Sequence, residues 1–339
     1  MPVEAITQSN VERLITIFGG SGFLGRHIVR ALRKRGYRIR VAVRRPDLAF
    51  YLQPLGRVGQ VHAVQANLRY PDSVQAAARG ADVVINLVGI LFERGRQRFK
   101  VIHAEGAGLV AGAANHAGAR IIHVSAIGAD ANSPALYART KALGEQAVRT
   151  AAPTATIFRP SIVFGPEDDF FNRFAAMARL SPALPLIGGG GTLFQPVYVG
   201  DVAQAIARAV DGQAQEGRLY ELGGPDVLKF RELMEFILAV TERRRLLVSL
   251  PFAIAELAAW FVQFLPKPPL TPDQVRMLKT NNVVSSDAVR EGRTLSGLGI
   301  EPHSIAAIVP SYLWRFRKTG QFRSQALSEG DSSGTIRNL

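Results

Sequence analysis

Short apolar runs recur along the chain, separated by stretches of helical length. Residues 14–18, 38–43, 61–66, 83–88, 121–125 and 156–158 predict strands covered on both faces, because their apolar character does not alternate cleanly. Between them, residues 22–34, 72–79, 99–117 and 135–151 predict helices. Parallel strands need helical crossovers, so this alternation predicts an α/β fold, a Rossmann-like doubly wound parallel sheet. After Arg159 the pattern changes: Pro160, Pro166, Pro182 and Pro185 and the run Gly188–Gly191 mark long loops, and helices are predicted over 201–210, 229–241, 251–265, 272–279 and 305–317. The division expected is a nucleotide-binding domain over 1–159, with some later segments returning to it, and a smaller, mainly helical C-terminal lobe over 160–320. The polar, Ser/Gly-rich stretch 321–339 is expected to be a disordered tail. There is no internal repeat.

Composition narrows the function classes. The 339 residues include no cysteine, which removes disulfides, thiolate metal sites, iron–sulfur ligation and a Cys nucleophile. With 41 Lys+Arg against 27 Asp+Glu the formal charge is +14, which favours an anionic partner. Residues 1–12 contain Glu4 and Glu12 and no apolar run, so no targeting segment is expected. The most apolar window, 246–265, is interrupted by Pro251, Glu256 and Gln263, so the expectation is a soluble protein or one bound to a membrane from one side.

The strongest motif is Gly19-Gly20-Ser21-Gly22-Phe23-Leu24-Gly25, between the first strand and the first helix. Glycines permit the tight turn and a close backbone approach to a diphosphate, and the helix start adds free N–H groups and its positive dipole end. About twenty residues on, where an NAD site places an acid for the ribose hydroxyl, this chain has Arg44 and Arg45. A guanidinium pairs well with a 2′-phosphate, so NADPH is expected over NADH, with Asp47 keeping NADH open. Arg33, Lys34, Arg35, Arg38 and Arg40 form a basic edge expected mostly to face water.

Tyr137 and Lys141 are one helical turn apart and share a face. An ammonium beside a phenol favours phenolate, making Tyr137 a usable acid/base for a carbonyl or alcohol, and Ser125 at the end of the preceding strand would orient the reacting oxygen. The histidines show no ligand spacing, and no metal is expected. Glu167-Asp168-Asp169 is expected to be a solvated loop. In 251–265, Ile254, Leu257, Phe261, Phe264 and Leu265 share one face, with Glu256, Trp260 and Gln263 on another, and Pro266 to Pro269 stop the helix. This helix suits either the lobe core or a membrane interface. Arg243-Arg244-Arg245 and Arg315, Arg317 and Lys318 could meet acidic lipid headgroups or a partner. No basic groove interleaved with aromatics appears, which argues against nucleic acid.

These residues resemble the extended and atypical short-chain dehydrogenase/reductase superfamily. The landmarks are the glycine turn, Asn67-Leu68, Asn86-Leu87-Val88-Gly89, His123-Val124-Ser125, Tyr137 to Lys141, Arg159-Pro160 and Asp201-Val202. Asn67 departs from the usual Asp at the adenine position. Within that superfamily the chain is similar to the accessory dehydrogenase-like subunits of respiratory complex I, through Phe18 to Gly25, Phe164 to Asp168 followed by Phe170–Phe174, and Gln195 to Val202. The likeness runs over roughly residues 14 to 318. It implies tightly held NADPH contacted by Gly19, Ser21, Gly22, Phe23, Leu24, Gly25, Arg44, Arg45, Asn67, Leu68, Val88, Gly89, Arg159 and Pro160 together with Ser125, Tyr137 and Lys141. It further implies attachment to the peripheral arm at the membrane junction and a structural role outside the electron path. With no presequence expected, the place implied is the cytoplasmic side of a bacterial inner membrane. The intact Ser125, Tyr137 and Lys141 leave open an active NADPH-dependent reductase, epimerase or dehydratase on a sugar nucleotide or quinone-like substrate.

Overall fold

A computed structural model of the chain describes residues 8–265 and 268–318. A short helix α1 (Gln8–Glu12) precedes β1 (Leu14–Phe18), α2 (Phe23–Lys34), β2 (Arg38–Val43), β3 (Val61–Gln65), α3 (Pro71–Ala78), β4 (Val83–Asn86), α4 (Gly106–His116), β5 (Arg120–Val124), α5 (Leu136–Ala151) and β6 (Thr156–Pro160). There follow β7 (Val163–Phe164), α6 (Phe170–Leu180), β8 (Ala183–Ile187), β9 (Leu193–Phe194), β10 (Val197–Tyr198), α7 (Val199–Val210), β11 (Leu219–Leu222), β12 (Leu228–Lys229), α8 (Phe230–Val240), β13 (Leu246–Leu250), α9 (Phe252–Val262) and α10 (Pro272–Met277).

Seven strands pair in the order β11-β6-β5-β4-β1-β2-β3, every pair parallel. The order reverses between β1 and β4, which opens a crevice at the carboxyl ends of these strands. The strands read as apolar runs because both faces are covered. On one side Ile15, Ile17, Val41 and Ile85 pack under α2 and α7, and on the other Phe18, Val84 and Ile121 pack under α3 and α4. Even Thr16 is buried, its hydroxyl donating to the Ala77 carbonyl at 3.1 Å.

The chain passes between sheet and lobe more than once. Helix α7 and strand β11 return to the sheet, α7 against α2 and β11 beside β6. Among the described residues the lobe has its own core of Phe164, Phe171, Phe194, Phe230, Met234 and Tyr312, and three two-stranded pairs: β10 with β7, β12 with β9, and β13 with β8.

Three predicted helices differ from those observed. The one over 99–117 is a π-helix at Lys100–Glu105 before α4, because the chain must bulge where it meets α5. A Cβ on Gly144 would lie 2.0 Å from the His103 carbonyl oxygen, so the two segments touch backbone to backbone. The helix over 305–317 is two short helices, Ile305–Ile308 and Pro310–Leu313, and a 3-10 turn at Trp314–Phe316, because Pro310 lacks the amide that would continue it. Helix α9 buries Ala255 and Ala259 against Ile187 and Val275, while Ile254, Leu257, Trp260, Phe261, Phe264 and Leu265 around it are exposed. The core-helix reading therefore fails, and Trp260 belongs with the outward apolar residues: its ring meets Phe261 and Phe264 edge-on at 5.0 and 6.0 Å. No described helix is long and apolar enough to cross a membrane. Pro266 and Lys267 of the expected helix stop, and the tail 321–339, lie outside the described residues.

Candidate functional site

The glycine turn sits at the crevice. Gly19 has φ +80°, a left-handed conformation that favours glycine, and its N–H donates to the Ala42 carbonyl. Gly25 lets α2 approach the turn, since a Cβ there would lie 2.5 Å from Gly20. Gly22 is exposed at the N-cap of α2 and no side chain caps that helix. Tyr51 fixes the turn by donating to the Ser21 carbonyl at 2.6 Å, a contact across 30 residues that no motif signals. Phe23 packs toward the lobe, its ring 3.3 Å from where a Cβ of Gly165 would lie.

The two arginines after β2 differ. Arg45 is bound to Asp47 through two nitrogens, at 3.0 and 2.7 Å, so both charges neutralise each other in place. The hydrogen bond from Arg45 holds the Asp47 carboxyl below its ordinary value. Arg44 is exposed and has no ion-pair partner among the described residues. Arg35 and Arg40 are anchored rather than solvated: Arg35 pairs with Asp211 at 2.9 Å, and Arg40 donates to the Ala77 and Arg79 carbonyls.

Asn67 and Leu68 follow β3. The Asn67 side chain accepts from the Arg69 N–H, and Leu68 packs against Gly106. Val88 N–H donates to the Asn86 side chain, and Gly89 lies over Lys141, a Cβ there being 3.6 Å from Nζ. Pro160 is buried at the end of β6. Arg159 is the departure: its Nε and Nη2 donate to Glu145 at 2.8 and 2.7 Å, and Glu221 lies 3.7 Å away. Burial opposes its charge, but these carboxylates outweigh it and raise its pKa, so the guanidinium is committed to protein rather than open to a ligand.

Ser125 directly follows β5, Lys141 reaches the end of that strand from α5, and Tyr137 lies one turn before Lys141 on α5, beside His103. Ser125 is 3% exposed and its hydroxyl has no hydrogen-bond partner among the described residues. Lys141 is buried and donates to the Val124 carbonyl at 3.1 Å. Burial alters both titrating groups, pulling Lys141 down to about 8 against a smaller opposing pull from Glu145, and pushing Tyr137 up to about 12. Burial accounts for the Tyr137 shift, and Lys141 does not enter it.

His103 belongs to this site and was missed. Its Nε2 accepts from the Ile90 N–H at 3.0 Å, its Nδ1 faces the Thr140 hydroxyl at 3.2 Å, and its ring meets Tyr137 edge-on at 5.2 Å. Burial, then Lys141, pulls its pKa down to about 3, so it is neutral. The inward helical spacing of Phe99, His103 and Ala107 was the available signal. His123 is also neutral, at about 3 through burial first, with Nδ1 facing the Asn86 amide.

In the acidic loop Glu167 and Asp169 are exposed, with Asp169 at the N-cap of α6, but Asp168 is not solvated. Asp168 is 4% exposed and accepts from the Tyr312 hydroxyl at 2.6 Å, and burial raises its pKa. Glu167 receives Arg26 at 3.4 Å and His27 at 3.2 Å, tying the lobe to α2. Among the described residues no three His, Cys, Asp or Glu gather at a metal-sized site.

The chemistry of this edge fits a dinucleotide. An uncapped helix start and glycine turn suit a diphosphate, the free Arg44 suits an anion beyond β2, and the buried hydroxyl of Ser125 lacks a partner. The model of the NAD dependent epimerase/dehydratase family matches residues 15–223. NADH dehydrogenase (ubiquinone) 1 alpha subcomplex subunit 9, mitochondrial, of Arabidopsis thaliana is 38% identical over 338 residues, covering 95% of this chain and 83% of its own. A ceramide reductase of Caulobacter vibrioides is 40% identical over 174 residues, covering 51% of this chain and 54% of its own. The fold is also that of an Escherichia coli NADPH-dependent quinone oxidoreductase complexed with NADPH, with TM-score 0.68 and 22% identity over 88% of this chain and 99% of that one. The chain belongs to the NAD dependent epimerase/dehydratase family and, within it, to the branch that contains the alpha subcomplex subunit 9 of mitochondrial complex I.

Proposed function

We propose that the chain is an accessory subunit of an NADH:ubiquinone oxidoreductase, holding NADPH as a resident ligand and stabilising the peripheral arm near the membrane and the quinone entrance. The observation that carries this reading is the 38% identity to a complex I subunit along 95% of the chain. Arg44, free beside the end of β2, supports NADPH over NADH through a charge-assisted bond to a 2′-phosphate. Complex I subunits at the membrane junction are the proposed partners, and the exposed apolar residues of α9 and the exposed Arg244 support contact with acidic lipid, while Arg243 and Arg245 are held by the Phe316 and Ala178 carbonyls. The proposed place is peripheral, on the cytoplasmic side of a bacterial inner membrane. The Arabidopsis relative is mitochondrial, so the bacterial placement is part of the proposal alone.

The test is purification from membranes in mild detergent, followed by denaturation and identification of the released nucleotide. The expected result is co-migration with complex I and roughly one NADPH per chain. A chain that stays in the soluble fraction and releases no pyridine nucleotide would overturn the proposal.

A second reading is an NADPH-dependent reductase, epimerase or dehydratase on a sugar nucleotide or quinone-like substrate. The match to a ceramide reductase over half the chain and the intact Ser125, Tyr137 and Lys141 favour it. Nicotinamide would supply the hydride. Tyr137 would exchange a proton at its phenol oxygen, Ser125 would orient the reacting oxygen, and Lys141 would anchor the ribose. Tyr137→Phe separates the readings: complex I assembly and respiration persist under the first, and a reductive activity is lost under the second.

A further inference from the structure

The first turn of α5, which carries Tyr137, has no cap from its own segment: its N-cap is Ala135, which has no side-chain acceptor. The lobe supplies the acceptor instead. Asp273, in the first turn of α10, accepts the Leu136 N–H at 2.6 Å through Oδ1 and the Tyr137 N–H at 2.9 Å through Oδ2. Both oxygens of one carboxylate therefore hold two adjacent amides at the positive end of a 16-residue helix. These bonds fix where α5 begins and so the position of Tyr137 and, one turn on, Lys141.

Helix α10 is bound to α9. Ala255, Ala259 and Val275 are fully buried between them, Lys279 pairs with Glu256 at 2.8 Å, and the Lys279 ammonium lies 5.5 Å from the Phe252 ring centroid. Ile254, Leu257, Trp260 and Phe261 on α9 remain exposed. A shift of α9 and α10 as a unit moves the carboxylate on which the start of α5 rests.

We propose that Asp273 is a positioning residue for the nucleotide site, coupling its occupancy to the seating of α9 in the lobe. This rests on the nucleotide-binding reading above. Coupling between sites is reciprocal: whatever fixes α9 and α10 tightens nucleotide binding, and nucleotide binding holds α9 and α10 in place. Asp273→Asn keeps the shape but loses the charge and one acceptor.

The experiment uses the full chain, NADPH titration and hydrogen exchange. Coupling of the usual size predicts that Asp273→Asn weakens NADPH binding by about 5- to 100-fold. Ser304→Ala, which removes a lobe cap on Ala307 N–H far from α5, changes it less than about twofold. In the wild type, NADPH slows exchange across residues 252–262 and 272–277, and in Asp273→Asn that protection is lost. Equal NADPH affinity in wild type and Asp273→Asn overturns the inference, as does wild-type protection that never reaches those residues. The wild-type exchange result decides the matter even if the variant fails to fold. A wild type that binds no NADPH overturns the nucleotide reading itself, which the titration separates from failure of the coupling.

Discussion

Arg159 was expected at the nucleotide and lies instead between two carboxylates, which makes its removal a direct test of the structure. Glu145 and Glu221 have side chains only 7% and 11% exposed, so Arg159→Ala leaves two largely buried carboxylates without their counter-ion. Breaking a buried pair by removing one partner costs about 3–5 kcal/mol. The Arg159 side chain keeps 21% exposure, which favours the lower end, about 3 kcal/mol. For a chain of this size that lowers Tm by roughly 4–6 °C. Pairing the change with Glu145→Leu as Arg159→Met/Glu145→Leu removes one of the stranded carboxylates, and much of the loss should return. The assay is thermal unfolding with and without NADPH. The increment in Tm produced by NADPH should be the same in Arg159→Ala and in wild type, because the guanidinium is spent on protein. If Arg159→Ala left the free protein's Tm unchanged and abolished that increment, the residue would be a nucleotide contact and the ion-pair argument would be refuted.

Arg44→Ala should weaken NADPH by about 10- to 100-fold through loss of a charge-assisted bond and leave NADH within threefold, measured by fluorescence titration. His103 and His123 are held near 3 in the folded chain against an ordinary 6.5, so the unfolded state binds more protons in that window. Their contribution to stability is complete above pH 6.5 and falls as pH drops toward 3, and urea unfolding at several pH values should show a slope that shrinks in His103→Gln. Gly144→Ala should cost roughly 1–3 kcal/mol or more by forcing α5 off the His103 carbonyl, read as a lower urea midpoint. Leu257→Ser with Phe261→Ser should leave Tm within about 1 °C, because both side chains already face outward, yet reduce recovery of the chain with membranes.

Much of the sheet was legible because parallel strands covered on both faces need apolar residues; β1 and β4 show them almost without a break, and β2 shows them between Arg38 and Arg40 and beyond. The glycine turn was legible for a similar reason: few residues other than glycine meet the demands at Gly19 and Gly25. What stayed hidden depends on neighbours distant in sequence. Arg159 and Glu145 meet across β6 and α5, and Asp273 meets α5 from 136 residues away. Periodicity found the apolar face of α9 but not which side faces out, because the small Ala255 and Ala259 decide that by letting the helix sit close. The π-helix at Lys100–Glu105 answers to Gly144, a residue in another helix. Pro310 is the one local signal that the helix over 305–317 breaks, since it lacks the amide that would continue it.

The Ser125, Tyr137 and Lys141 constellation shows why a familiar pattern does not settle a function. Pattern alone predicts an ammonium that acidifies a phenol. In the folded chain the same loss of water raises the phenol to about 12 and lowers the ammonium to about 8, while Nζ donates once, to the Val124 carbonyl. Both shifts oppose charge separation, so they work against proton transfer near neutral pH. They do not work against retention of a polar ligand. The Ser125 hydroxyl is buried without a partner, and an ammonium has three donors, of which one is used. A buried donor or acceptor left unsatisfied costs about 1–3 kcal/mol, so a ligand that engages these groups gains that much residence for each.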